Sequence, residues 1–170
     1  MLVPVVWKLL WDRQYERALA VGFVATITDA LDGFLARRLK AESRLGAYLD
    51  PIADKLLLGG SFLIFGLDRV IPWWLTAAVL GRDALILLFA AVARAFTTLR
   101  EFPPSVWGKV STLIQILTGL MVLVNGSLGS DIYTYKLQQW FQWACLATTA
   151  WSGAHYLATG IRMWRNQSKP

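Results

Sequence analysis

Four aspartates carry the chemistry this chain could do: Asp29, Asp32, Asp50 and Asp54, all within TDALDGFLARRLKAESRLGAYLDPIADK, residues 28–55. They sit at or inside predicted membrane spans, where an ionised carboxylate costs several kcal/mol unless it faces a polar interior. Spacings of three and four place each pair on one helix face. Two such faces on adjacent antiparallel helices would form a four-carboxylate cluster, whose mutual repulsion raises pKa values unless cations enter. With no histidine or cysteine nearby, the donors suit a hard divalent ion, Mg²⁺ or Mn²⁺, rather than zinc. Two such ions can clamp both ends of a phosphoryl displacement. Gly33, Ala36 and Gly46 are small enough to let a ligand or helix approach. Arg37 continues the Asp29–Asp32 face and can reach a phosphate. The competing arrangement is an interhelical salt-bridge network in which Arg37, Arg38 and Lys55 neutralise the aspartates. Two pairs with glycines interposed favour a pyrophosphate site.

Positioning such a cluster requires helices, and the composition says of what kind. The chain is 56% hydrophobic and 16% charged, with a mean hydropathy of +0.46. A soluble domain of this size could not bury that much apolar surface in one core. The expected architecture is therefore an all-α integral membrane protein, a single domain over residues 1–170. Spans need about 20 mostly apolar residues. Candidates run over residues 18–39, 46–67, 72–95, 110–124 and 137–161, preceded by an apolar stretch, 1–11, that is short for a span and reads as a truncated first helix. Connectors are short, and no internal repeat is evident.

Charge orients the bundle. Arg37, Arg38, Lys40 and Arg44, then Arg94, Arg100 and Lys109, then Arg162, Arg165 and Lys169 fall on one side if there are six spans. That side is expected to be cytoplasmic, with fewer unpaired cations opposite. Trp73, Trp74, Trp140 and Trp143 read as interfacial anchors. The net charge of +6 fits anionic lipid better than nucleic acid, since no basic, aromatic-interleaved soluble face appears. A single cysteine, Cys145, excludes a disulfide framework, and no cleavable signal peptide is visible.

The pattern Asp29-x2-Asp32-Gly33-x2-Ala36-Arg37-x8-Gly46-x3-Asp50-x3-Asp54 resembles the signature of the CDP-alcohol phosphotransferase family at every fixed position. That resemblance implies a six-transmembrane-helix bundle, usually a homodimer, with a cytoplasm-facing active-site cavity in the bacterial inner membrane. It implies transfer of a phosphatidyl or similar group from a CDP-linked donor to an alcohol, releasing CMP. Carried over residue by residue, Asp29, Asp32 and Asp50 are the principal metal ligands and Asp54 completes the second metal's shell. Asp54 is also the implied general base; sequence leaves open whether one carboxylate serves as ligand and base together. Asp32, Gly33, Ala36, Arg37 and Gly46 match the CDP-donor positions, and Ser43 is placed in the same pocket. Family members typically carry a complete first span and a short amphipathic helix before the signature, a part expected here to be absent or cut.

A second cationic set, Arg82, Arg94 and Lys109, is assigned to the acceptor. Arg82 could instead serve as an intramembrane partner for Asp83 or the aspartate cluster, and Arg94 and Lys109 as ordinary positive-inside residues. The segments 81–94 and 105–115 look more like CDP-diacylglycerol-dependent cardiolipin synthases, through the Arg82-Asp83 pair and Arg94 twelve residues on. Phosphatidylglycerophosphate synthases more often show Arg-Glu and additional cations. A phosphomonoester acceptor, glycerol 3-phosphate, wants more positive charge than the phosphodiester phosphatidylglycerol. The favoured reaction is therefore cardiolipin synthesis, the alternative phosphatidylglycerophosphate synthesis, and the non-enzymatic alternative a divalent-cation transporter.

Overall fold

The computed structural model describes residues 2–39, 44–96, 106–129 and 131–167, and the side chains within them except at 26, 29, 30, 32–39, 44–52, 90–96 and 161–167. Six helices make up these residues: α1 (Val3–Trp11), α2 (Tyr15–Leu39), α3 (Arg44–Leu67), α4 (Trp73–Phe96), α5 (Val106–Leu128) and α6 (Ile132–Gln167). The five stretches expected as spans fall on the helices α2 to α6, and the short apolar stretch before them forms a nine-residue helix. Among the described residues α5 alone is long and apolar enough to qualify as a span by composition. The neighbouring helices carry the charges of the candidate site within their length. The structure thus supports an all-α fold of six helices, while six full crossings and a cytoplasmic cavity are matters for the functional proposal.

Two turns set the levels of the bundle. Both α1 and α3 end with an arginine in the left-handed region, Arg13 at φ 55° and Arg69 at φ 57°. In each, the next residue's N–H reaches back five positions, Gln14 to the Leu9 carbonyl at 2.8 Å and Val70 to the Phe65 carbonyl at 2.9 Å. These are Schellman closures, which satisfy carbonyls the helix leaves open. The two closures lie side by side, since Arg13 donates to Asp68 Oδ1 at 3.3 Å. The start of α2 and the end of α3 therefore share one level, and the two helices run in opposite directions from it. A Cβ on Gly60 would come within 2.6 Å of Trp7 Nε1, and one on Gly126 within 2.6 Å of Tyr15 Cγ. Glycine is what lets α1 lie against α3, and the start of α2 against the end of α5.

The interior has two parts: an apolar cluster that includes Leu10, Phe62, Phe65, Leu75 and Val79, and a polar seam between α5 and α6. Along α5 the buried positions are Gly108, Ser111, Gln115, Thr118, Val122 and Asn125. On α6 they are Gln138, Gln142, Cys145, Thr149 and Ser152. Both series step by alternate threes and fours, the spacing of two helices meeting along a seam. Across it Ser111 and Thr149 hydroxyls lie 3.4 Å apart, Gln115 Nε2 donates to Thr149 Oγ1 at 3.3 Å, and Asn125 Nδ2 donates to Gln138 Oε1. Large apolar side chains instead cover the outside: Phe23, Val24 and Leu31 on α2, Leu87 and Leu88 on α4, and Leu113 and Ile116 on α5. Exposed apolar area on this scale marks a surface that meets another apolar phase.

Candidate active site

The aspartate motif divides between the second half of α2, which carries Asp29, Asp32, Gly33, Ala36 and Arg37, and the first half of α3, which carries Gly46, Asp50 and Asp54. Asp29 lies fourteen residues past the start of α2, and Asp54 thirteen before the end of α3. At about 1.5 Å per residue each is roughly 20 Å from the shared level. By the same count Asp32 and Asp50, each seventeen residues away, are roughly 25 Å from it. The backbone therefore sets the four aspartates in two matched tiers on antiparallel helices. Asp54 is exposed on α3. The side chains of Asp29, Asp32, Arg37 and Asp50 and the surroundings of Gly33, Ala36 and Gly46 lie outside the described residues, as does Ser43 altogether.

The donor set fits the ion the sequence implies. Four carboxylates supply oxygen ligands only, as Mg²⁺ or Mn²⁺ requires. Among the described residues alone no three acidic, histidine or cysteine side chains converge.

Of the second cationic set, Arg82 and Lys109 are described and the Arg94 side chain is not. Arg82 is buried at 9% exposure. Its Nη1 donates to Asp83 Oδ1 at 2.7 Å, and its Nη2 to Ser152 Oγ at 3.0 Å and the Gly108 carbonyl at 3.4 Å. The guanidinium carbon lies 6.0 Å from the centre of the Tyr156 ring. One cation thus ties α4 to both α5 and α6, with Asp83 as its counter-charge. Lys109, next to the anchored Gly108, is exposed. Gly108 lies eighteen residues before Gly126 on α5, roughly 27 Å, at the tier of Asp32 and Asp50. Lys109 therefore stands at the depth of the carboxylates. The sequence reading did not single out Ser152 and Tyr156; their spacing of four on α6 was the available signal, and neither carries a charge.

A model of the CDP-alcohol phosphatidyltransferase family matches residues 1–151. The chain belongs to this family. Among curated relatives, a cardiolipin synthase (CMP-forming) of Rattus norvegicus is 31% identical over 91% of this chain and 57% of its own length. A probable phosphatidylglycerophosphate synthase of Mycobacterium tuberculosis is 33% identical over 85% of this chain and 66% of its own length. A putative cardiolipin synthase of Mycobacterium bovis reaches 41% identity over half of this chain. The chain thus spans rather less than two thirds of the first relatives it matches. No solved structure matches it. Membership of the CDP-alcohol phosphatidyltransferase family accords with the motif on α2 and α3, and relatives of both acceptor types lie at similar distance.

Proposed function

We propose that this chain transfers the phosphatidyl group of CDP-diacylglycerol to a hydroxyl of phosphatidylglycerol, forming cardiolipin and releasing CMP. The observation that carries the reaction class is the family match over residues 1–151 together with the two-tier aspartate arrangement. In the reaction the acceptor oxygen forms a new bond to the phosphatidyl phosphorus, and the bond from that phosphorus to the CMP oxygen breaks. Asp54, exposed on α3 at the shallower tier, takes the proton of the incoming hydroxyl. Asp29, Asp32, Asp50 and Asp54 would hold two Mg²⁺ or Mn²⁺ ions. When bound, such ions neutralise the diphosphate and the charge developing on CMP. Gly33, Ala36 and Gly46 leave room for the donor's backbone of phosphates, Arg37 pairs with one of them, and Ser43 closes the same pocket.

For the acceptor, Lys109 and Arg94 are the proposed phosphate contacts. Arg82 stands behind them, holding the Gly108 carbonyl beside Lys109. Its charge is already met by Asp83, which leaves a thinner positive field for the acceptor. That favours a phosphodiester, phosphatidylglycerol, over a doubly charged phosphomonoester. The relative named as a phosphatidylglycerophosphate synthase keeps glycerol 3-phosphate as the second reading. The protein is further proposed to be a homodimer in the bacterial inner membrane, its aspartate end facing the cytoplasm. The exposed apolar exterior and the polar seam between α5 and α6 support the membrane setting. Purified protein given labelled CDP-diacylglycerol with either phosphatidylglycerol or glycerol 3-phosphate tests the reading. Labelled cardiolipin in the first tube alone is expected. Product with glycerol 3-phosphate alone would replace the acceptor, and no CMP in either tube would remove the reaction.

A further inference from the structure

At the end of the bundle away from the aspartates, the turn from α3 to α4 and the first turns of α6 flank an open cleft of about 660 Å³. Its walls include Arg69, Trp73, Tyr135, Gln138, Gln139 and Gln142. Gln138 is committed, accepting from Asn125 and donating to the Val70 carbonyl at 3.4 Å. Gln142 is different. It is only 8% exposed, yet its carboxamide makes no hydrogen bond among the described residues. Its amide is not among the fully enclosed polar atoms that lack a partner, so it opens onto the cleft and can offer its donors and its acceptor to a ligand there. Arg69 is exposed at the mouth and has no ion pair among the described residues. The nearest acid in sequence, Asp68, gives Oδ1 to Arg13 and keeps Oδ2 buried, with no ion pair to Arg69.

Arg69, the two glutamine amides and the Tyr135 hydroxyl make a donor-rich, net positive lining, suited to phosphate oxygens. The cavity's surroundings say where such a phosphate would come from. Trp73 is 55% exposed at its rim, and Trp74 stacks on Trp143 with ring centres 5.2 Å apart. Exposed tryptophans gather at the headgroup level of a bilayer. The volume is also within the range of pockets that hold small ligands.

We infer that this cavity is a second binding site, distinct from the aspartate site, which takes the phosphate-bearing headgroup of an anionic phospholipid from the opposite leaflet. The inference rests on the membrane setting proposed above and not on the identity of the acceptor. From Asp54 to Leu67 along α3 is roughly 20 Å, too far for one headgroup to occupy both sites.

Hydrogen–deuterium exchange of the purified protein in neutral detergent tests this by location. Short-chain phosphatidylglycerol, short-chain phosphatidylcholine and inorganic phosphate are added separately, and CMP release is assayed in parallel. Phosphatidylglycerol is expected to slow exchange over residues 66–73 and 135–142, with phosphatidylcholine much weaker. Arg69→Glu should weaken that protection about tenfold in lipid concentration with CMP release unchanged. Gln142→Met, which keeps the volume, should weaken it less. Protection by inorganic phosphate at similar concentration would support the phosphate site and assign it a free anion. Equal protection by phosphatidylcholine, or undiminished protection in Arg69→Glu, would overturn the proposal. Loss of CMP release with protection intact would instead count against the proposed reaction alone.

Discussion

Asp54 and Arg82 are both ionisable residues on helices, and the structure gives them opposite surroundings. Asp54 is exposed at the tier to which the proposed reaction brings the acceptor hydroxyl, so its loss should cost chemistry rather than folding. Asp54→Asn is expected to lower CMP release by at least about a hundredfold while its unfolding profile in detergent matches the parent. Near-parental turnover would remove Asp54 as the base. Arg82 is closed in by Asp83, Ser152 and the Gly108 carbonyl, so its loss should cost folding. Removing one partner of a buried pair typically costs about 3–5 kcal/mol. Arg82→Met should therefore unfold at markedly lower denaturant, and Arg82→Met combined with Asp83→Leu should recover much of the loss. A double variant as unstable as the single one would show that the pair is not the source. The aspartates were legible in sequence because charge inside an apolar stretch is rare and their spacing is helical. The partners of Arg82 were not, because hydroxyls and a backbone carbonyl look the same in sequence whether or not a cation reaches them.

Between helices, what holds α5 to α6 is a ladder of small and amide side chains rather than interlocking hydrocarbon. In lipid this is the sensible choice, because apolar side chains gain little by leaving one hydrocarbon phase for another. Helix limits were readable from hydropathy almost to the residue for α3 and α4, while α5 and α6 run four to six residues beyond the expected spans at each end, where polar residues extend the helix past its apolar stretch. The ladder was less visible: Ser111, Gln115, Thr118 and Asn125 disappear into a window average, and only their alternating three-and-four spacing betrays them. Asn125→Ala loses bonds to Gln138 and the Thr134 carbonyl and is expected to destabilise the bundle by about 1 kcal/mol. An unchanged unfolding midpoint would mean the ladder is decorative. The start of α6 offers a separate test. Asp131 Oδ1 accepts from the Thr134 and Tyr133 N–H groups at 2.8 and 3.0 Å and from the Thr134 hydroxyl at 2.9 Å. These bonds, the Thr134 N–H first, hold its carboxyl below the ordinary value of 3.8. A folded-state pKa below the unfolded one gives stability that is present above the unfolded value and lost as pH falls through the folded one. The thermal midpoint of the parent should exceed that of Asp131→Ala near neutrality and converge with it at acid pH. A gap that persists unchanged at acid pH would contradict the cap.

For the whole molecule, the interior joins an apolar part, with Leu10, Phe62, Phe65 and Leu75 buried, to a polar seam of glutamines, threonines and Arg82, while many large apolar side chains also stand exposed on the outside. Two ends are chemically distinct. The aspartate tiers and Lys109 lie toward one, and the Schellman turns, the stacked Trp74 and Trp143 and the second cavity at the other. If the positive end is cytoplasmic, the active site and the second cavity open to different compartments, and that orientation can be measured directly. Cys145 is fully buried on α6, so Cys145→Ser provides a background without reactive thiols. On it, Lys136→Cys places a thiol at an exposed position near the second cavity, and Glu42→Cys places one in the connector between the aspartate-bearing helices. A membrane-impermeant maleimide added to intact right-side-out bacterial vesicles should modify the thiol at 136 and spare the one at 42. Permeabilising the vesicles should expose both. The reverse pattern would invert the protein in the membrane and place its chemistry on the outer surface. Modification of both thiols in sealed vesicles would mean that the helices between them do not separate the two compartments, and the bilayer-spanning arrangement would fall with that result.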